Sequence, residues 1–292
     1  MQRTTTLLFS LLICLFILQN CRLKPKDNGE RPEVGIALDS LVRRVAIPSV
    51  TMGKVFNANV ILPESYFKDS SMNFYPVVYL LHGYSGNYAN WYDRVPELKD
   101  LSSEHELIIV TPDGNFNSWY LDSYTDSTQL FYAYISQEVP RYIDEHFRSY
   151  QDARYRGIAG LSMGGHGALS IALQHPDWFG VAGSMSGVVD LRAHTDEWEI
   201  SQHLGPYAED STRWAEHSIV AMAEKVRETP HLLIDCGTED QMLPENEALH
   251  QVLLLRGIPH TYIARPGSHD WLYWQEAIDY QLQFFKQRFE EG

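Results

Sequence analysis

Three cysteines in 292 residues are too few to staple a chain of this length, so stability must come from a hydrophobic core rather than a disulfide scaffold. Basic residues are scarce as well: 23 Lys and Arg stand against 38 Asp and Glu, a formal net charge of −15. A surface of that sign repels phosphate backbones, which argues against nucleic-acid partners. No internal repeat and no low-complexity tract appears. Hydrophobic residues at 44% and charged residues at 21% are the proportions of a globular protein, not of a disordered, collagenous or multi-span membrane chain. The long apolar run, residues 7–18 (LLFSLLICLFIL), would span about 18 Å as a helix, short of the ~30 Å hydrocarbon core of a bilayer.

What that run does fit is a signal peptide over residues 1–20, with Arg3 in a short basic n-region. Leu18-Gln19-Asn20-Cys21 then resembles a bacterial lipobox, although Asn20 departs from the small residue usual before the cysteine. Lipid attachment at Cys21 is the expectation, with ordinary cleavage or a retained anchor as alternatives. It predicts an exported lipoprotein of the bacterial cell envelope, touching membrane only through its anchor; otherwise the protein is periplasmic or secreted. Cys14 then leaves with the signal, Cys236 is the remaining thiol, and no intrachain disulfide can form. Residues 21–35 are polar, with two prolines and two glycines, and read as a flexible tether. The folded body is a single domain over 36–292.

Within the body, short apolar runs alternate with helical patterns. Residues 38–47 and 54–62 read as a strand pair around Gly53. Residues 76–81 (PVVYLL) and 107–111 (LIIVT) are continuous apolar runs, as expected of strands covered on both faces. Residues 129–147 carry helical spacing with a kink expected at Pro140. Strands follow at 155–159, 181–185, 232–234 and 261–264, and helices at 164–174, 244–255 and 270–289. That alternation predicts an α/β fold: a mostly parallel sheet with helices on both faces and its site at the carboxyl ends of the strands.

Gly160-Leu161-Ser162-Met163-Gly164 lies between a predicted strand and a predicted helix, the context of a G-x-S-x-G nucleophile elbow. The serine needs a sharp turn there, and side chains two residues to either side would collide. The Met163 N–H, at the positive end of the helix, is placed to donate to a developing oxyanion. A serine hydroxyl needs a base, and the base an orienting acid. In α/β-hydrolases these follow in the order Ser, acid, His, on loops after later strands. His269 stands just past the last strand. Asp235, Glu239 and Asp240 crowd the loop before it; Asp240 is favoured over Glu239, and Asp235 belongs to the strand body. His166 reads as a packing residue and His82 as a support for the oxyanion loop. That loop, 81–86 (LHGYSG), offers the Tyr84 N–H as the second donor. Cys236, at a strand end, reads as a buried, inert thiol.

YLLHGYSGNYANW, IVTPDGNFNSWYLDS, GIAGLSMGGHGALSIALQHP, CGTEDQML and GSHDWLYW, in this order, resemble the esterase-D-like esterase family of the α/β-hydrolase fold. That family includes S-formylglutathione hydrolases, tributyrin esterases, feruloyl esterases, siderophore esterases and mycolyltransferases. The resemblance implies Ser162 as nucleophile, Asp240 as acid, His269 as base, and Tyr84 and Met163 as oxyanion donors, with no metal and no organic cofactor. Export speaks against the cytosolic S-formylglutathione branch, and Asp rather than Glu at position 240 departs from the mycolyltransferase pattern. The expected activity is that of a serine carboxylesterase on short-acyl or hydroxycinnamoyl esters, small or carbohydrate-linked, through an acyl-serine. A siderophore trilactone esterase, or an acyltransferase with the same triad, is the alternative.

Trp119, Tyr120 and Tyr124 stand with Asp122 in the loop after Thr111, and Trp91 follows the oxyanion loop. Trp91, Trp119 and Tyr120 could stack on a sugar or aryl acyl group, with Asp122 on a substrate hydroxyl; equally, all could pack and cap the loop. Trp271 and Trp274 read as packing residues. Residues 187–230 sit where this fold carries a lid. Their many charges exclude an apolar lipase lid, and Ile219, Val220, Met222, Ala223 and Val226 suit a helix turned inward.

Overall fold

The computed structural model describes residues 34–68, 73–226 and 228–291. The apolar run, Cys21 and nearly all of the tether lie outside the described residues. From Val34 onward the chain forms one compact unit. Among the described residues no helix is long and apolar enough to cross a membrane.

Among the described residues nine strands form one sheet: β1 (Ile36–Ala37), β2 (Val42–Ser49), β3 (Lys54–Ile61), β4 (Val77–Leu81), β5 (Ile108–Pro112), β6 (Arg156–Leu161), β7 (Val181–Met185), β8 (His231–Gly237) and β9 (His260–Arg265). Their order is β1-β2-β3-β5-β4-β6-β7-β8-β9. β1, β2 and β3 run antiparallel, and β3 pairs antiparallel with β5; from β5 to β9 every pair is parallel. The crossing from β5 over β4 to β6 places the carboxyl ends of β4 and β6 side by side, and the site grows there.

The continuous apolar runs are explained by cover on both faces. In β4, Val77, Tyr79 and Leu81 enter one core layer while Val78 and Leu80 enter the other; in β5, Ile108 and Val110 oppose Ile109. One layer is closed by the helices Met163–Gln174 and Leu243–Leu255, the other by the C-terminal helix Trp271–Glu291. Tyr273, Trp274, Ala277, Ile278, Leu282 and Phe285 of the last helix recur at the spacing of a single buried stripe.

Two local expectations differ from the structure. The strand expected from residue 38 starts as β2 at Val42, because the Asp39 carboxylate accepts from the N–H groups of Leu41 (2.8 Å) and Val42 (2.9 Å) and makes a turn. The helix expected over 129–147 is a succession of Phe131–Ala133, a π-helical stretch Tyr134–Glu138 and Val139–His146. Pro140 explains the widening: it has no N–H for the Ser136 carbonyl, and its ring would collide with that oxygen in an ordinary α-turn.

Candidate active site

β6 delivers Ser162 at its carboxyl end, and the helix Met163–Gln174 leaves at once. Ser162 holds φ 52° and ψ −118°, a conformation L-residues avoid. The turn requires glycine on both sides. A Cβ on Gly160 would lie 2.3 Å from the carbonyl of Gly164, and one on Gly164 would lie 2.6 Å from the carbonyl oxygens of Leu81 and His82. Backbone bonds pin the strained residue: its N–H donates to the Met185 carbonyl (3.0 Å), and its carbonyl accepts from the N–H groups of His166 (3.1 Å) and Val188 (3.4 Å).

β8 runs into the loop carrying Asp240, and β9 into the loop carrying His269. The loops are stitched together: Thr238 N–H donates to the Arg265 carbonyl (2.9 Å), Glu239 N–H to the Gly267 carbonyl (3.0 Å), and Gly267 N–H to Glu239 Oε2 (2.9 Å). Glu239 is thus a tie between loops, and Asp240 is the carboxylate that meets the imidazole. The Asp240 side chain is fully buried, and its two oxygens accept from His269 Nδ1–H at 3.0 and 2.9 Å. Oδ1 also accepts from the Met242 N–H (2.8 Å). Burial alone would raise the pKa of this carboxyl; hydrogen bonds from His269 and Met242 and the nearby Ser186 hydroxyl outweigh it and hold the value below the ordinary one. An ionised carboxylate only accepts, so Nδ1 carries the proton and Nε2 is left as an acceptor. Nε2 faces Ser162 Oγ at 3.0 Å.

The loop after β4 lies against this group. His82 is fully buried, and its ring spans the loop: Gly114 N–H donates to Nε2 (2.8 Å), so Nδ1–H donates to the Gly83 carbonyl (2.8 Å). Burial lowers the pKa of this imidazole, keeping it neutral as the arrangement needs. The His82 carbonyl accepts from the Tyr120 hydroxyl (2.9 Å). Tyr84 follows on the pocket wall. On the other side Met163 opens its helix, where a first N–H has no intrahelical acceptor. His166 is fully buried, donates from Nδ1 to the Val188 carbonyl (3.2 Å), and is depressed to about 3 by burial. Cys236 is buried and its thiol pushed well up, chiefly by burial. Among the described residues no cluster of three or more His, Cys, Asp or Glu side chains is arranged to hold a metal ion.

A cavity of about 380 Å³ opens over Ser162 and His269. Trp119 and Trp198 line one part of it, Trp271 and Trp274 another. Trp119 and Tyr120 (φ 53° and 56°) and Trp198 and Glu199 (φ 47° and 59°) are two left-handed pairs, and Trp119 Nε1–H donates to the Trp198 carbonyl (3.0 Å), locking one to the other.

Of the four residues expected to touch substrate, only Trp119 lines this cavity, and it is 1% exposed. Trp91 is fully buried behind it, donating to the Leu81 carbonyl (3.0 Å) and meeting Trp271 edge-on at 5.3 Å. Tyr120 is fully buried, with its hydroxyl spent on His82. Asp122 is a loop cap, accepting from the Ala133 N–H (3.1 Å). Trp271 and Trp274, read as packing residues, line the cavity, and Trp274 also meets the His269 ring edge-on at 5.0 Å. Trp198, Gln241 and Arg94 had no signal in the sequence, since only the tertiary fold brings them to the serine.

In the solved structures, fluorophosphonate-binding serine hydrolase F of Staphylococcus aureus matches with a TM-score of 0.75 at 26% identity, over 84% of this chain and 98% of that one. A ferulic acid esterase matches with a TM-score of 0.73 at 27% identity, over 85% of this chain and 98% of that one. Sheet, elbow and neighbours define a serine hydrolase of the α/β-hydrolase fold, a carboxylic ester hydrolase. An acetyl esterase of Caldicellulosiruptor saccharolyticus is 28% identical over 233 residues, 74% of this chain and 85% of that protein. The chain belongs to the family described as "Putative esterase", whose profile matches residues 49–285.

Proposed function

We propose that the protein is an exported serine carboxylesterase for soluble short-acyl or hydroxycinnamoyl esters, including carbohydrate-linked ones, acting through an acyl-serine. The observation that carries the reading is the unbroken hydrogen-bond chain from Asp240 through His269 to Ser162. His269 Nε2 takes the Ser162 proton as Oγ attacks the ester carbonyl. The tetrahedral oxyanion is met by the N–H groups of Tyr84 and Met163. Collapse expels the alcohol, which takes the proton from His269 and leaves the acyl group on Ser162. Water, deprotonated by the same imidazole, then releases the acid. Asp240 holds the imidazole in the tautomer this needs and stabilises its cationic form.

Two observations favour small soluble substrates. The cavity is bounded and walled by aromatic rings, which suits a compact acyl group or a flat ring. The segment after β7 is fastened down: the N–H groups of Val189 and Asp190 donate to Glu245 Oε2 (2.9 and 2.8 Å), and Ile219–Ala223 is a buried helix. An apolar lid free to open on an oil surface would need the opposite. The relatives named acetyl esterase and ferulic acid esterase lend this reading further support. Export and a lipid on Cys21 belong to the same proposal and rest on the sequence.

The test is a panel of acetyl, butyryl and feruloyl esters with a catecholate trilactone, beside tributyrin followed across its solubility limit. Acetyl or feruloyl esters should give the highest kcat/KM, with no jump in rate at saturation. A dominant trilactone activity, marked interfacial activation, or acyl transfer to an added sugar outpacing hydrolysis would refute it.

A further inference from the structure

Among the described residues one cation and no carboxylate line the cavity over Ser162; Glu199 stands behind the wall, accepting from the Tyr84 hydroxyl (3.3 Å). That cation is Arg94, the last residue of the short helix Asn90–Arg94, which lines the cavity beside Asn90, Trp271 and Trp274. Its backbone is fixed from both sides. Val95 N–H donates to the Trp91 carbonyl (2.9 Å), and the Arg94 carbonyl accepts from the Gln275 side-chain amide of the last helix. Its side chain is exposed, and among the described residues no acid pairs with it.

That is unexpected in a chain where acids outnumber bases 38 to 23. Other cations are taken up: Arg156 by Asp144 (2.7 Å), Arg192 by Asp190 (2.7 Å), Arg213 by Asp210 (2.8 Å), and Lys99, in the next helix, by Asp39 (3.1 Å). Among the described residues Arg94, like the exposed Arg141 and Arg256, has no acid on its donor fork, and of these three it is the one that lines the serine's pocket. The surplus of negative charge on the protein would keep an anionic substrate away, and a free guanidinium at the pocket reverses that field locally. Its planar fork matches a carboxylate with two parallel hydrogen bonds. The indole rings of Trp271 and Trp274, set edge-on to each other at 89°, give an apolar corner for whatever joins that carboxylate to the ester.

We infer that the ester this site takes carries a carboxylate, bound by Arg94 while the ester carbonyl lies at Ser162. The carboxylate stands either in the acyl part, as in the half-ester of a dicarboxylic acid, or in the alcohol part, as in an acylated uronic acid. The inference deepens the serine-esterase reading and rests on it.

Two matched pairs separate these cases: 4-nitrophenyl butyrate against the 4-nitrophenyl half-ester of glutaric acid, and acetylated glucose against acetylated glucuronic acid. kcat/KM is measured for wild type, for Arg94→Gln, and for Arg141→Gln, which removes the same charge from a different cavity lined by Pro140 and Asp144. In one pair the wild type should favour the carboxylate-bearing member about two- to fivefold, the scale of an exposed ion pair. That ratio should fall to one or below in Arg94→Gln, persist in Arg141→Gln, and shrink as salt is added. A preference for the neutral member in both pairs, a ratio unchanged in Arg94→Gln, or an equal fall in Arg141→Gln overturns the inference. Neutral esters hydrolysed without any carboxylate preference remove the Arg94 inference alone; no hydrolysis of any member removes the esterase reading with it.

Discussion

Replacing Asp240 by Asn changes one atom, and the surrounding hydrogen bonds dictate where that atom goes. The Met242 N–H, 2.8 Å from Oδ1, requires an acceptor there, so the amide oxygen stays in that place. The amide nitrogen must then occupy the Oδ2 position, 2.9 Å from His269 Nδ1. An N–H now points at Nδ1 in competition with the amide oxygen, which stays 3.0 Å away, and favours the tautomer with the proton on Nε2; that nitrogen faces Ser162 Oγ at 3.0 Å and can then no longer accept from it. Loss of the correct tautomer with the geometry intact should lower kcat about 10³–10⁴-fold. Stability should change by no more than about 1–2 kcal/mol, because a buried charge disappears together with its bond. Glu239→Gln is the matched control, since the glutamine oxygen can still accept from the Gly267 N–H; kcat should stay within about fivefold, as an exposed contact is worth about 1 kcal/mol or less. Steady-state hydrolysis of 4-nitrophenyl acetate, with thermal melts of each variant, reads both effects. An Asp240→Asn enzyme retaining more than about a tenth of wild-type kcat, or a Glu239→Gln enzyme more crippled than it, would refute the reasoning.

The Asp235 carboxyl is fully buried between the Tyr273 hydroxyl and Arg265, and burial raises it from 3.8 to about 6. The folded state therefore holds this proton to higher pH than the unfolded chain, so its stabilising contribution is full below about pH 4 and lost as the pH rises to about 6. Urea titrations should find roughly 2–3 kcal/mol of such loss in the wild type and a flattened slope in Asp235→Asn; equal slopes would contradict the assignment. Gly164→Ala should gain helix propensity yet lose at least about 100-fold in kcat, because its Cβ would push the Leu81 and His82 carbonyls and carry away an oxyanion donor; a Tm increase with normal activity would contradict this. Intact mass of the mature protein should reveal acyl chains on Cys21, and an unmodified N-terminus further along would exclude the anchor.

Much of the sheet was legible because β4 and β5 are buried on both faces and announce themselves as apolar runs, and because Gly160 and Gly164 are demanded by sterics that a five-residue motif records. Asp240 was favoured over Glu239 in the sequence; the structure shows why adjacent carboxylates differ, one turned to the imidazole and the other tying two loops. The π-helical stretch before Pro140 was out of reach, since proline signals a broken turn but not which way the ladder gives. Pocket walls were the least legible. Trp91 and Trp271 touch each other, yet only Trp271 meets the cavity, and a sequence does not record which side of an indole faces solvent. Trp198 and Arg94 lie 36 residues after and 68 before Ser162, and nothing local marks either as its neighbour.

The central claim is that Ser162 is a nucleophile activated by His269. Its most direct test is peptide mapping after treatment with a fluorophosphonate, with the rate of adduct formation followed in wild type, Ser162→Ala and His269→Ala. The adduct should fall on Ser162 alone, vanish with all ester hydrolysis in Ser162→Ala, and form at least about 100-fold more slowly in His269→Ala. An adduct on another residue, or undiminished hydrolysis by Ser162→Ala, would contradict it.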